Sequence, residues 1–441
     1  MAAGESYMSN SISSNTKTES APSPHRSALR SPETAPDAAA PLLIGYCTNV
    51  HPSETLEELE GTLRGDIPSV RSALTREEGL TFGLGLRIGA SLLRALSAPA
   101  EERRFARLLE AQGYSLFSVN GFPYGDFHAS SVKERVYEPD WTDQKRLTYT
   151  IALAELIARL PGPRRRTIST VAGGFRPATE TFERRQRIAE QLDAAARALA
   201  EIERRSGVEI SLCLEPEPET TLERSDETVD FFQRQLYPRG AHMRRYLALC
   251  YDCCHQAVLF ERPEESLKLL TEAEIRIGKV QVSSALHLDA PHDPHARAAL
   301  LAFDEPRYLH QTAAQQADGT LLRALDLDGL RAPPPEWLAV DAWRTHFHVP
   351  IWWEGEGYLR TTAEDWRAAV RWLAARDLCE QYEVETYSWG VIPAAHRRSL
   401  GGLHGAIAQE LRVLSACLQS ARKESHPVHS SPSSDSSEPP S

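Results

Sequence analysis

Three observations make an eight-stranded α/β barrel the fold class this sequence predicts. Short apolar runs alternate with longer helical patterns along most of the chain, as a parallel sheet requires. Eight strand–helix repeats can be counted, the number that closes a barrel. No glycine-rich phosphate turn follows the first apolar run: Gly83-x-Gly85 and Gly173-Gly174 are isolated pairs, which disfavours an open doubly wound sheet.

The elements follow in order. The first strand is 42–49, and the helix after it is expected to be capped by Ser53, with Glu57 in its first turn. Strand two is 80–88, and the helical region behind it stops at Gly113, a residue suited to a left-handed C′ position. Strand three, 116–120, opens into a polar, aromatic loop over 121–141. An amphipathic helix at 143–160 precedes strand four, 166–171, and a long charged helix at about 180–205 precedes strand five, 210–214. Strand six is the run Tyr246 to Tyr251, ending abruptly in Asp252. A helix at 264–272 leads to strand seven, 277–283. Residues 286–345 break the rhythm and read as a long functional or lid-like loop. Residues 346–353 are an extra extended piece, 362–376 is a helix, 382–387 is strand eight, and a helix from about 394 to 418 closes the barrel.

Residues 1–40 are rich in Ser, Pro, Ala and Thr without apolar periodicity, and 420–441 are similar. Both are expected to be disordered, leaving 41–419 as one barrel domain. The formal charge of −12 argues against nucleic acid or an anionic membrane as partner. No run of 18 apolar residues occurs, so no transmembrane insertion is expected. The N-terminus lacks the pattern of a secretory signal. The seven cysteines are an odd number, mostly inside apolar runs, as expected of small buried hydrophobes in a reducing compartment. Cys250-x-x-Cys253 has no second half to make a zinc knuckle. A cytoplasmic protein is expected.

Barrel enzymes draw their chemistry from the C-terminal ends of different strands. Those ends are Asn49, Asn120, Glu215, Asp252, His255, Gln281, His346, His348 and Glu385. A carboxylate that ends a buried run needs a cation, donors or substrate, because burying it alone costs several kcal/mol. Carboxylates with amide and imidazole, and no thiolate, suit Mn²⁺, Mg²⁺, Zn²⁺ or Co²⁺. Structural roles compete: Glu215 can cap a helix or form an ion pair with Glu217 the ligand instead, Asp252 can cap the next helix, and His255 can be a core histidine. Of Glu383 and Glu385, one is expected to face inward and one away. His346 and His348 share one strand face. His287, His292 and His295 are expected to be solvated. Trp352, Trp353 and Trp389 are candidates to stack on a sugar, with packing the alternative. Arg87 is a candidate anion clamp.

The segments Leu-Cys-Leu-Glu215, Cys-Tyr-Asp252-Cys-Cys-His255, Lys-Val-Gln281, His346-Phe-His348 and Val-Glu385-Thr resemble the strand ends of xylose-isomerase-like barrels. That superfamily holds sugar isomerases, ketose epimerases and metal-dependent apurinic endonucleases. Residues 45–52, 118–125 and 214–218 look more closely like EboE-type proteins, implicated in metabolite precursor traffic, and the likeness spans about 42–418. The resemblance implies a divalent metal held by Glu215, Asp252, Gln281 and Glu385, with His346 and His348 as further ligands. It implies Glu215, Glu385 and His255 as catalytic residues, a small sugar- or polyol-like metabolite, and partner proteins of the same pathway. Gln281 stands where the superfamily usually has His, which leans the site toward harder ions. Isomerisation or epimerisation is the expected chemistry. The alternatives are a barrel that carries a metabolite without transforming it, or a metal-dependent hydrolase. The nuclease pattern wants histidines at the ends of strands three and four, where this chain has Asn120 and Ala172 or Gly173.

Overall fold

The computed structural model describes residues 42–72, 80–400 and 402–425. Eight parallel strand positions close into a barrel. In chain order its strands are β1 (Leu42–Tyr46), β2 (Leu80–Phe82), β3 (Leu84–Arg87), β4 (Leu116–Asn120), β5 (Arg165–Val171), β6 (Glu209–Glu215), β7 (Leu247–Asp252) and β8 (Ile277–Val282), with β14 (Gln381–Val384) last. Each pairs in parallel with its neighbour, and β14 returns to lie between β8 and β1. β2 and β3 are one strand interrupted at Gly83. The first part pairs with β1 and the second with β4, and a bridge from Cys47 to Gly85 ties the seam. The predicted (β/α)₈ barrel is the fold.

Helices cover the outside, and several ends follow local chemistry. Gly113 takes the left-handed conformation, with φ of 64°, after helix Pro99–Gln112. Asp143 caps helix Gln144–Arg159 and Thr181 caps helix Phe182–Ser206. The cap of the first helix, Leu56–Arg64, is Thr55 in a capping box with Glu58, not Ser53 with Glu57. The box needs its acid three residues after the cap, and Thr55–Glu58 has that spacing. Strand six starts at Leu247, because Tyr246 ends a helix, Ala241–Tyr246. The closing helix is two, Ala394–Leu400 and Leu403–Ser425. The second runs past 419, so 420–425 are helical; the rest of the expected tails, 1–40 and 426–441, lies outside the described residues.

The largest departure is at 286–345. Far from being one loop, this stretch with its flanks builds an antiparallel sheet: β9 (Ser284–Leu288), β10 (Thr312–Gln315), β11 (Leu321–Ala324), β12 (Trp343–Val349) and β13 (Leu359–Thr361), in the order β11-β10-β12-β9-β13. Its strands are short and pair across long sequence distances, so little local periodicity announces them. The sheet has its own core, in which Leu286, Trp337, Trp343 and Phe347 pack together. Alternation along β12 puts Trp343 and Phe347 into that core and turns His346 and His348 to the other face, toward the barrel mouth.

The barrel interior is polar. Successive inward positions of the last strand carry Gln381, which accepts a hydrogen bond from Thr167 Oγ1 at 2.7 Å, and Glu383, which pairs with Lys279 and accepts from Ser118 Oγ at 2.7 Å. Glu385 lies above them at the mouth. Gly85 is glycine for a steric reason: a Cβ there would collide with the Glu383 carboxylate. The seven cysteines are free. Among the described residues no helix is long and apolar enough to cross a membrane.

Candidate functional site

Four barrel strands deliver polar side chains to one point. Glu215 and Asp252 end β6 and β7, Gln281 is next to last in β8, and Glu385 follows β14. All four are buried. Ligand oxygens of Glu215, Asp252 and Glu385 lie within 4.8 Å of one another. Gln281 Nε2 donates to Glu215 Oε1 at 2.8 Å, to Asp252 Oδ2 at 3.1 Å and, more closely still, to Glu385 Oε2. Its Oε1 accepts from Cys250 Sγ at 3.2 Å. Asn49 and Asn120 donate to the other Glu385 oxygen at 2.8 and 3.0 Å.

Positive charge is scarce in this cluster. An amide nitrogen carries two hydrogens, yet Gln281 faces three carboxylates, and Glu215 Oε2 is buried without a partner. Burial pushes the Glu215 carboxyl up to about 7. It drives Glu385 well above the usual range, with Glu215 and Asp252 adding to the effect. Burial opposes ionisation of Asp252 as well, but His255 and His348 outweigh it and hold that carboxyl low.

Beside the carboxylates stand three imidazoles. Asp252 does two jobs at once: its Oδ1 caps helix Cys253–Val258 by accepting from Cys254 N and His255 N, at 2.8 and 3.0 Å, while Oδ2 faces the cluster. The cap places His255 over the mouth. His255 Nδ1 donates to the Pro216 carbonyl at 3.1 Å, His346 Nδ1 to Gln311 Oε1 at 2.7 Å, and His348 Nδ1 to the Glu385 carbonyl at 2.8 Å. Gln311 Oε1 is the acceptor because its Nε2 is committed to Glu217 Oε1, Tyr137 Oη and the Pro218 carbonyl. Each neutral ring therefore presents an Nε2 lone pair, the arrangement found behind metal-bound histidines. Burial lowers His348 to about 4 and His346 well below its ordinary value. For His255 burial is outweighed by Asp252, Glu217 and Glu215, which raise it. Asp252, His255 and His348 bring ligand atoms together, as do Glu217, His255 and His346.

These residues fit a divalent ion. The clustered carboxylates exceed the hydrogens available to them, Glu215 Oε2 is unpartnered, and oxygen plus imidazole donors suit Mg²⁺, Mn²⁺, Zn²⁺ or Co²⁺. Gln281 joins such a set as a ligand only with its amide turned over, Oε1 to the cluster and Nε2 to Cys250.

Other expectations fare differently. Glu383 and Glu385 both face the interior, because positions two apart on a strand share a face; Glu383 belongs to the layer below, with Lys279. Glu215 and Glu217 are both buried at the mouth, Glu217 held by Tyr137 and Gln311. Arg87 is no free clamp: it is fully buried, its guanidinium paired with Glu54 and donating to the Gly125 carbonyl. His292 and His295 are exposed, and His287 pairs with Asp289 at 2.9 Å on β9. Trp352, Trp353 and Trp389 pack in or against the core of the antiparallel sheet. Gln311, Tyr137, Tyr308 and Phe127 escaped the sequence reading. A polar aromatic loop after strand three was the one signal for Tyr137 and Phe127; nothing local marked Gln311 or Tyr308.

The cleft over the cluster is narrow, with about 50 Å³ of water-accessible space, and is lined by Asn49, Glu215, His255, His346, Glu385 and Tyr387 among others.

No protein-family model matches the chain, and no curated protein matches it in sequence. Among solved structures the chain is similar to an L-ribulose 3-epimerase, at 14% identity and a TM-score of 0.47, over 86% of this chain and 96% of that one. It is also similar to a xylose isomerase-like TIM barrel protein from Mycobacterium smegmatis in complex with magnesium, at 13% identity and 0.46, over 87% and 97%. A third is a probable 3-DHS dehydratase from Bacillus anthracis, at 12% and 0.46, over 85% and 99%.

Proposed function

We propose that this barrel is a metal-dependent isomerase or epimerase of a small sugar- or polyol-like metabolite. The observation that carries the reading is the meeting of Glu215, Asp252 and Glu385 at the C-terminal mouth of the barrel, their oxygens within 4.8 Å of one another. Those three, with His255, His346 and His348 beside them, would hold a divalent ion, whose contribution would be to polarise a substrate carbonyl oxygen. Glu215 and Glu385 flank Gln281 and are the groups that take and return the proton on the neighbouring carbon. His255, fixed by the Pro216 carbonyl, turns Nε2 toward the substrate oxygens. Asn49 and Asn120 hold the Glu385 carboxylate in one orientation. The narrower EboE-type reading, metabolite traffic, rests on the sequence segments 45–52, 118–125 and 214–218.

One observation favours a second reading, a carrier that binds its metabolite unchanged. Gln281 sets an amide where an imidazole ligand would stand, and its nitrogen already bridges the three carboxylates. A hydrolase is the least favoured, since Asn120 and Ala172 or Gly173 occupy the strand ends where it would need histidines.

The test is elemental analysis of the purified chain beside Asp252→Ala and Glu385→Ala. The expected result is at least one equivalent of Mn, Mg, Zn or Co, lost in both variants. No bound metal after reloading with each ion would sink the metal-isomerase reading. Glu215→Ala with Glu385→Ala then separates enzyme from carrier: turnover vanishes in the first case, and ligand binding persists in the second.

A further inference from the structure

Beside the carboxylates and imidazoles, the cleft has an apolar wall, and Tyr387 of that wall packs 4.5 Å from the His348 ring. The rings of Phe127 and Tyr308 are 5.0 Å apart, those of Phe127 and Tyr387 5.1 Å, and those of Tyr308 and Tyr387 5.2 Å. All three line the cleft, with Val132 packed against them. They come from three places: the loop after β4, the antiparallel insert, and the turn after β14. The wall reaches the polar cluster directly, because Tyr387 Oη lies 3.5 Å from His346 Nε2.

Apart from the ion, the same cleft is poor in lysine and arginine. Among the described residues lining it, Lys133 is the single lysine or arginine. Its ammonium is engaged by the Asp326 carboxylate and, at 3.2 Å, by the Glu305 carbonyl. Glu215, Glu217 and Glu385 line it as well. Phosphate and carboxylate groups are normally received by arginine, lysine or a helix N-terminus. An acidic substituent on the part of the ligand that lies away from the ion would lose its water against the aromatic wall, where the one lysine lining the cleft, Lys133, is already engaged.

We infer that the ligand is an uncharged α-hydroxy-carbonyl compound bearing a flat apolar substituent, its oxygens on the carboxylate–imidazole cluster and its apolar part on Phe127, Tyr308 and Tyr387. This rests on the isomerase reading above and narrows it, excluding sugar phosphates and sugar acids as substrates.

Three compounds that share the α-hydroxy ketone unit test it by calorimetric titration of the manganese-loaded full chain: dihydroxyacetone, dihydroxyacetone phosphate and 2-hydroxyacetophenone. The aryl ketone is expected to bind at least tenfold more tightly than dihydroxyacetone, and the phosphate no more tightly. In Tyr308→Ala the aryl preference falls toward one. The comparison on the wild type decides the matter even where that variant folds poorly. Tighter binding of the phosphate, or no aryl preference, overturns the inference and leaves the isomerase reading standing. Failure of all three to bind a chain that holds its metal overturns both.

Discussion

His346 Nε2 and His348 Nε2 face each other at 2.9 Å, two ring nitrogens from alternate positions of one strand. The far nitrogen of each ring is held by an oxygen, Gln311 Oε1 for His346 and the Glu385 carbonyl for His348. Two lone pairs in such proximity repel unless a proton or a cation lies between them, and burial disfavours protonating either ring.

Gln311 should therefore matter to metal binding without touching the metal. Gln311→Ala removes the acceptor that orients His346, and affinity for Zn²⁺ or Co²⁺ is expected to fall roughly 10–100-fold, as for other orienting partners of ligand histidines. Equilibrium dialysis, or the absorption of bound Co²⁺, measures it. An unchanged affinity would remove His346 from the ligand set.

On the proposed metal reading, Gln281 would set the hardness of the site. Gln281→His replaces an amide by an imidazole and is expected to raise Zn²⁺ affinity at least tenfold relative to Mg²⁺. Competition titration of the two ions on wild type and variant gives the ratio. No change in it would mean that position 281 does not contact the ion.

The pair Lys279–Glu383 inside the barrel makes a stability prediction. Lys279→Met leaves the Glu383 carboxylate buried without its cation and is expected to cost about 3–5 kcal/mol, whereas Lys279→Met with Glu383→Gln recovers most of that loss. Gly85→Ala, which drives a methyl into the same carboxylate, should cost about 1–3 kcal/mol. Urea denaturation of the four proteins checks both statements.

Glu410 gives a pH dependence. This buried carboxyl on helix Leu403–Ser425 accepts from Thr386 Oγ1 at 2.7 Å and from Ile351 N at 3.1 Å, joining the segment after Glu385 to the end of β12. Burial pushes it up to about 8. The folded chain keeps this proton between the ordinary carboxyl value and pH 8, while the unfolded chain loses it. The contribution is thus complete at pH 4 and is lost as pH rises toward 8. Glu410→Gln keeps the acceptor oxygen and abolishes the titration, so its stability relative to wild type should rise between pH 5 and pH 8.5, by on the order of 3 kcal/mol. Parallel urea curves at the two pH values measure the difference, and a constant gap would overturn the assignment.

Much of this protein was legible along the chain because its causes are local. Asp252 ends an apolar run and is followed by the helix it caps, so its position follows from neighbours in sequence. Gly113 and Asp143 mark helix ends by their own backbone and side-chain preferences. Eight alternating units imply closure, since a parallel sheet of that length with helices outside buries its edges by meeting itself. The spacing of His346 and His348 sufficed to put them on one face.

What only the tertiary structure decided depends on contacts between distant segments. The stretch 286–345 folds as a sheet because β9 finds β12 and β13, pairings that local periodicity does not encode. Gln311 reaches His346 through that sheet, and Tyr308 meets Phe127 through it. Glu383 proved to be the partner of Lys279 rather than an outward residue, and Arg87 was already spent on Glu54. The sequence by itself determined which strands bring carboxylates to the mouth. Three-dimensional packing decided which hydrogens those carboxylates receive, and so where a cation is wanted, because charge balance in a buried cluster depends on every group that reaches it.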